Sequence, residues 1–209
     1  MNVLITAGGT KEDIDPVRGI TNYASGRLGC MIADKFIRAG CTVTYICGET
    51  AAHPEGLHTT IIRNTAQLQE KMEAALRSEK FDCVIHSMAV SDYAPVPQKS
   101  KLSSDAPYRI LFLKRQPKVI NCIKEIQPDT LLVGFKLLSN ASEDDLIQAS
   151  RKQMESAKSD LVLANVLEDI QGDVHKAILI GKDSIIARGK TKREIAEMIY
   201  ENCNSWHNR

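Results

Sequence analysis

Short apolar runs without period-two alternation recur along this chain, and segments of helical period separate them. A run with no polar face fits a strand buried on both sides, as in a parallel sheet covered by helices. The first run is residues 2–7, Asn-Val-Leu-Ile-Thr-Ala, followed at once by Gly8-Gly9. Residues 29–39 carry Met31, Ile32, Phe36 and Ile37 near helical period; Gly40 stops that helix, and residues 42–47 form a second strand. Ile61-Ile62 marks a weaker strand. A helix over 66–78 gathers Leu68, Met72, Ala75 and Leu76 on one face, and residues 83–86 form a buried strand. Further strands are expected at 131–135, 160–165 and 177–180, with helices over 143–158 and 192–203. Strands alternating with helices of this length predict an α/β fold, a parallel sheet with helices on both faces. With 209 residues and no repeats, one domain over 1–209 is expected.

Residues 95–107 break this rhythm. They are rich in Pro, Ser and Lys and read as a long flexible loop, a feature that in a compact domain is usually functional or mobile. Residues 108–113 then alternate, Tyr108, Ile110 and Phe112 against Arg109, Leu111 and Leu113, which predicts a strand of an antiparallel ribbon.

Composition removes several classes of function. The net charge of +1 gives no footprint for binding nucleic acid or a membrane surface. No apolar run approaches the roughly 20 residues that span a bilayer. The N-terminus lacks the basic region of a signal peptide and reads as the first strand, so a cytoplasmic location is expected. The six cysteines form no CxxC pair and lack metal-ligand spacing, so they read as core thiols and no metal ligand is assigned. His53, His58, His175 and His207 read as solvated. His86, ending a strand, has a lining role at most, and Trp206 reads as packing in a C-terminal tail.

Three segments could carry chemistry. Thr6-Ala7-Gly8-Gly9-Thr10 follows the first strand. Its glycines allow backbone N–H groups to approach a phosphate, although such turns as often merely connect two elements. The stretch Asn22-Tyr23-Ala24-Ser25-Gly26-Arg27-Leu28-Gly29 leads into the first helix. A glycine-rich approach to a helix N-terminus is either an anion site or a capped helix with a close-packed face. Between these two lies an unusual excursion, residues 11–21, so the dinucleotide pattern GxGxxG is not matched. The third segment, His86 to Tyr93, sits at the carboxyl end of a strand, where open α/β sheets bind ligands. Asp92 there is either a ligand-binding group or a turn former.

Taken in order, these pieces resemble phosphopantothenate–cysteine ligase, or phosphopantothenoylcysteine synthetase, of the unfused bacterial type. The matching stretches are TAGGT at 6–10, IDPVR at 14–18, ITNYASGRLG at 20–29, AVSDY at 89–93, KLSS at 101–104, PKVI at 117–120, GFKL at 134–137 and DLVLAN at 160–165. The resemblance implies a Rossmann-like sheet with an inserted antiparallel dimerisation ribbon, and a homodimer. It implies a ligase that joins 4′-phosphopantothenate to L-cysteine through an acyl-nucleotide, releasing pyrophosphate and a nucleoside monophosphate, on the route to coenzyme A. The co-substrate would be CTP with Mg2+, ATP being the alternative; no flavin is implied, and a separate decarboxylase is a candidate partner.

Residue by residue, the resemblance makes Asn22 and Lys101 catalytic. Asn22 would donate to the carbonyl oxygen of the reacting acid, and Lys101 would neutralise charge at the α-phosphate. Arg18, Met88, Ala89 and Asp92 match substrate-binding positions, Arg18 reaching the phosphate of a substrate in the neighbouring subunit. Gly8, Ala24, Gly26, Gly29, Pro117, Lys118, Val119, Ile120, Phe135, Lys152 and Asn165 match nucleotide-binding positions. Two departures stand out. Ala24 replaces a serine common in relatives, and Ser156 occupies the place of the second of two helical lysines, the first being Lys152.

Two other functions compete. A short-chain dehydrogenase needs a Tyr-x-x-x-Lys pair, and none of Tyr23, Tyr45, Tyr93, Tyr108 or Tyr200 has lysine four residues on. A nucleotide sensor without catalysis would need only the nucleotide side, whereas Arg18, Asn22 and Asp92 form a substrate side.

Overall fold

A computed structural model describes residues 1–208. Six parallel strands form the centre of the main sheet: β1 (Asn2–Ala7), β4 (Thr42–Gly48), β5 (Thr59–Ile62), β6 (Cys83–His86), β9 (Leu131–Leu138) and β10 (Leu161–Val166). Their order is β5-β4-β1-β6-β9-β10. The chain moves outward from β1 through β4 to β5, then returns to lay β6 on the other side of β1. Strand order therefore reverses between β1 and β6, and that reversal opens a crevice at their carboxyl ends.

Alternation along β1 divides the core between two faces. Val3, Ile5 and Ala7 join Ile32 and Phe36 of α1 (Arg27–Arg38) and Ile195 and Ile199 of α5 (Lys192–His207). Leu4 joins Leu68, Met72 and Leu76 of α2 (Thr65–Ser78) and Ile123 of α3 (Asn121–Ile126). A third cluster sets Leu146 of α4 (Glu143–Ala157) against Ala164 and Ile178. Helix ends carry local signals. Asn64 caps α2 by accepting from the Gln67 N–H at 2.9 Å, and Ser142 with Asp145 forms a capping box on α4.

The sheet is not wholly parallel. The antiparallel strands β12 (Val174–Ile180), β13 (Ile185–Thr191) and the short β11 (Ile170–Gln171) complete one edge. β13 and α3 lay outside the expected elements. The excursion at 11–21 is a hairpin of β2 (Lys11–Asp15) and β3 (Arg18–Thr21). The ribbon expected at 108–113 sits elsewhere: β7 (Tyr93–Pro95) pairs with β8 (Leu113–Arg115). Tyr108, Ile110 and Phe112 are exposed, and so are Leu111 and Leu113, so alternation there has no buried face within one chain to hold a strand. The long loop thus runs from 96 to 112.

Other expectations also shift. Trp206 lies inside α5, because the apolar period of Ile195, Ile199 and Cys203 carries the helix on to His207. Asp160 precedes β10, where its carboxylate accepts from the Leu132 N–H at 2.8 Å and pairs with Lys124 at 2.7 Å. Cys47, Cys83, Cys122 and Cys203 are buried and Cys30 and Cys41 partly so; burial raises the Cys47 thiol to about 11 and the Cys122 thiol to about 12.

His175 is buried in β12 rather than solvated, and both of its ring nitrogens lack a partner. Burial, then the charge of Lys192, lowers its pKa to about 4; burial does the same for His86. Below pH 6.5 the unfolded chain takes up these protons first. Stability present at pH 7 is therefore lost as pH falls from about 6.5 toward 4, by roughly 3 kcal/mol per histidine at full loss. We expect the urea midpoint to drop across that window and His175→Leu to flatten the drop. An unchanged pH profile in that variant would show that His175 is not one of the responsible groups.

Candidate active site

The crevice between β1 and β6 is built from segments far apart in the chain. Ser87 follows β6, and its N–H and hydroxyl both donate to the Thr6 carbonyl, at 3.1 and 2.8 Å. The Ala89 N–H donates to the Gly8 carbonyl at 2.8 Å, and the Thr10 N–H returns a bond to the Ala89 carbonyl at 3.2 Å. Beyond this bridge, the Ser91 N–H donates to Thr10 Oγ1 at 2.9 Å. Thr65 Oγ1, at the start of α2, donates to Glu12 Oε1 at 2.7 Å and lies 3.4 Å from Thr10 Oγ1. A buried line of hydroxyls, Ser91, Thr10 and Thr65, thus ends on the buried Glu12 carboxylate. That carboxylate also accepts the Thr65 N–H at 2.9 Å, satisfying an otherwise open donor of α2.

The second glycine segment meets the first across a small residue. Gly26 is the N-cap of α1 with φ of 71°, a conformation that side chains rarely adopt. Ala51 packs beside both Gly8 and Gly26, and the Ala52 N–H donates to the Ser25 carbonyl at 2.9 Å. The first turn of α1 carries no acidic residue, and its N-cap makes no side-chain capping bond. Gly29 lets α1 press onto the sheet: a methyl group there would lie 2.5 Å from Ala7 Cβ and 2.8 Å from Ser87 Oγ.

Asn22 stands at the rim, its Nδ2 donating to the Val90 carbonyl at 3.5 Å. The same rim carries Asp92, which pairs with Lys118 Nζ at 2.5 Å, while its backbone carbonyl accepts the Gln116 N–H at 2.8 Å. Both partners are more than half exposed, so the pair itself contributes at most about 1 kcal/mol. It does join the segment at 88–92 to the segment at 117–120. Met88 is buried in the α2 face of the core, and so is Val119, with Ile120 packed beside it. These three can offer a ligand mainly backbone groups, while Pro117 and Lys118 are exposed.

Further along the carboxyl edge, Phe135 of β9 is half-buried against the α1 and α5 side, and Asn165 of β10 is buried next to Leu137. Lys152 is exposed on α4. Two inter-strand steps of about 4.8 Å separate β6 from β10; Phe135 lies on the α1 and α5 side of the sheet, whereas α4, which carries Lys152, packs on the other side. Arg18 lies on the hairpin, 3.4 Å from Asp15. Lys101 is exposed on the long loop. His86 is buried under the crevice, its Nδ1 2.8 Å from Thr6 Oγ1, and its lowered pKa keeps it neutral at pH 7.

Several supporting residues escaped the sequence reading. Arg63 holds the hairpin through paired bonds to Asp13, at 2.7 and 3.0 Å, and reaches Glu49 at 2.7 Å. Its hydrogen bond is the main cause that lowers the Asp13 carboxyl. Glu12, Ala51 and Ser91 were likewise given no role, for each acts through a partner remote in sequence. Among the described residues no three His, Cys, Asp or Glu side chains gather as a metal site.

This architecture is that of an α/β, Rossmann-like protein whose strand-order reversal carries glycine turns and a polar rim. Residues 1–206 match the family described as DNA/pantothenate metabolism flavoprotein C-terminal domain, and the chain belongs to it. The coenzyme A biosynthesis bifunctional protein CoaBC of Thermococcus kodakarensis is 39% identical over 203 residues, covering 95% of this chain and 50% of that protein. The chain thus spans about half the length of the curated relatives it matches. Among solved structures, the DNA/pantothenate metabolism flavoprotein from Streptococcus pneumoniae superposes with a TM-score of 0.91 at 37% identity, covering 99% of this chain and 100% of that one. The C-terminal domain of a coenzyme A biosynthesis bifunctional protein CoaBC gives 0.77 at 25% identity, with coverage of 100% and 96%.

The close contact at Gly29 supplies a direct check. Gly29→Ala should lower stability by about 1–3 kcal/mol, because backbone and sheet must shift to admit one methyl group. Urea unfolding measures it; an unchanged midpoint would mean that α1 is not pressed onto β1 as described.

Proposed function

We propose that this chain catalyses the joining of 4′-phosphopantothenate to L-cysteine by way of an acyl-nucleotide, within coenzyme A synthesis. One observation carries the reading: Asn22 and the 88–92 segment converge on the glycine turns at a single crevice, Asn22 Nδ2 on the Val90 carbonyl and the Ala89 N–H on the Gly8 carbonyl. A polyphosphate and an acid can thereby be neighbours. The CoaBC relatives support the same reading through their names, which attach matching sequence to coenzyme A biosynthesis.

In this reading the substrate carboxylate attacks the α-phosphorus of the nucleotide and the bond to pyrophosphate breaks. The cysteine amine then attacks the acyl carbon, the bond to the nucleotide oxygen breaks, and the monophosphate leaves carrying the proton that the amine gives up. Gly8, Ala24, Gly26 and Gly29 offer backbone donors to the phosphates, with the positive end of α1 behind them. Lys101 neutralises charge growing on the α-phosphate during the first step. The Asn22 amide donates to the acyl oxygen in both steps without fixing the carboxylate as a salt bridge would. Asp92, with the backbone of Met88 and Ala89, holds the pantothenate arm. Phe135, Asn165, Lys152 and the 117–120 segment face the base.

Mg2+ bound to the triphosphate would screen part of its charge; among the chain's own side chains, Lys101 supplies a cation, while Lys118 is paired with Asp92. CTP is the nucleotide favoured by the bacterial resemblance, and ATP is the alternative. Pyrophosphate release measured with each nucleotide separates them.

A homodimer completes the reading. Val96, Ile110, Leu111 and Phe112 line one exposed apolar surface beside the hairpin residue Ile14, and Val17 and Tyr108 are exposed as well. A second copy of the chain would cover it and would bring Arg18 to the neighbouring substrate phosphate, where a guanidinium fork binds well. The test is Asn22→Ala. It should keep nucleotide binding and slow product formation by about a hundredfold or more, as loss of one oxyanion donor does. Product formation at the unmutated rate would remove Asn22 from the mechanism.

A further inference from the structure

At the hairpin tip lies a carboxylate with no part in the chemistry above. Asp15 ends β2, and its side chain is wholly buried. Its two oxygens do different work. Oδ1 accepts the N–H groups of Val17 and Arg18, both at 2.9 Å, and so closes the hairpin turn. Oδ2 accepts the N–H of Leu102, 87 residues away in sequence, at 3.1 Å. Arg18 Nη1 stands 3.4 Å from Oδ2 and donates to the Leu102 carbonyl, also at 3.4 Å. Leu102 is thus held by its N–H and by its carbonyl. Just upstream, the Gln98 N–H donates to the Ile14 carbonyl at 2.8 Å. The long loop is therefore pinned to the hairpin on both sides of Lys101.

We propose that Asp15 is a positioning residue for Lys101: by gripping Leu102 it confines the loop lysine against the hairpin, next to Arg18, before the nucleotide arrives. This rests on the reading above, in which Lys101 serves the first step. Consecutive Cα atoms are about 3.8 Å apart, so a fixed Leu102 leaves Lys101 little backbone freedom. Without the grip, several exposed loop residues must be ordered at each turnover, which costs rate rather than nucleotide affinity. The hairpin also carries Arg18, so the same carboxylate sets the place of a substrate-phosphate ligand and of the activating lysine.

The division of labour between the two oxygens suggests the variant. In Asp15→Asn the remaining carbonyl oxygen can keep the Val17 and Arg18 bonds, while the new amide group meets the Leu102 N–H donor to donor. Single-turnover pyrophosphate release, with 4′-phosphopantothenate, Mg2+ and nucleotide but no cysteine, is compared for the unmutated protein, D15N, K101Q and the double variant. We expect D15N to slow release by about tenfold with nucleotide KM changed less than about threefold, and the double variant to be no slower than K101Q. Release by D15N at the unmutated rate, or a double variant slowed by the product of both factors, would overturn the positioning role alone. K101Q at the unmutated rate would overturn it together with the role of Lys101. No release by the unmutated protein would instead overturn the ligase reading. Hydrogen exchange of the unmutated protein judges the grip should D15N fail to fold: the Leu102 amide should exchange more slowly than those of Ser103 and Ser104, and equal rates would overturn the proposal.

Discussion

The parallel pairing of β1 with β6, in register from Val3 opposite Cys83 to Thr6 opposite His86, is the constraint on which the rest depends. It places two carboxyl ends side by side at the point where strand order reverses, and the connections leaving them stay bonded to each other as far as Thr10 and Ser91. One becomes the glycine turn and hairpin, the other the 87–92 segment. Neither could form a site alone, because each presents mostly backbone groups. Together they bond through Gly8, Thr10 and Ala89 and leave a polar rim above an apolar sheet.

Rigidity beneath that rim comes from buried polar groups that are satisfied within the fold. The line from Ser91 through Thr10 and Thr65 to Glu12 ties the β6 segment, the β1 turn, α2 and the hairpin into one unit. Buried carboxylates are costly unless bonded, and Glu12 and Asp15 are each bonded to backbone N–H groups. For Asp15, burial alone would raise the carboxyl; the donors Val17, Leu102 and Arg18 and the charge of Arg18 carry it below the ordinary value. Its contribution to stability is complete above the usual carboxylate range and disappears only as acid reaches the lowered value. The exposed loop that carries Lys101 is thus anchored to this frame at Gln98 and Leu102.

Much of the frame was legible in the sequence because it obeys short-range rules. The apolar runs at 2–7 and 83–86 stand as β1 and β6, and Leu68, Met72 and Leu76 do share the buried face of α2. The glycine turns and Asp92 were legible as candidates from local sequence, but the roles of Asn22 and Lys118 only by resemblance, since Asn22 meets Val90 and Lys118 meets Asp92 through tertiary contact. Errors fell where local pattern and tertiary context disagree. Residues 108–113 alternate as a strand would, yet have no face to bury. Residues 185–191 hold Arg188, Gly189 and Lys190, which conceal a strand that antiparallel pairing with β12 stabilises. His175 looked solvated beside Asp173 and Lys176, but the period of two in β12 turns it inward. Helix α3, of six residues, is too short to show a period.

The central claim is that this crevice converts an acid into a mixed anhydride with a nucleotide. The most direct measurement is mass spectrometry of the protein incubated with 4′-phosphopantothenate, Mg2+ and either CTP or ATP, before and after cysteine is added. An acyl-nucleotide with matching pyrophosphate should form first, then give way to the amide and a nucleoside monophosphate when cysteine arrives. Formation of nucleoside diphosphate, or no activated acid with either nucleotide, would contradict the account.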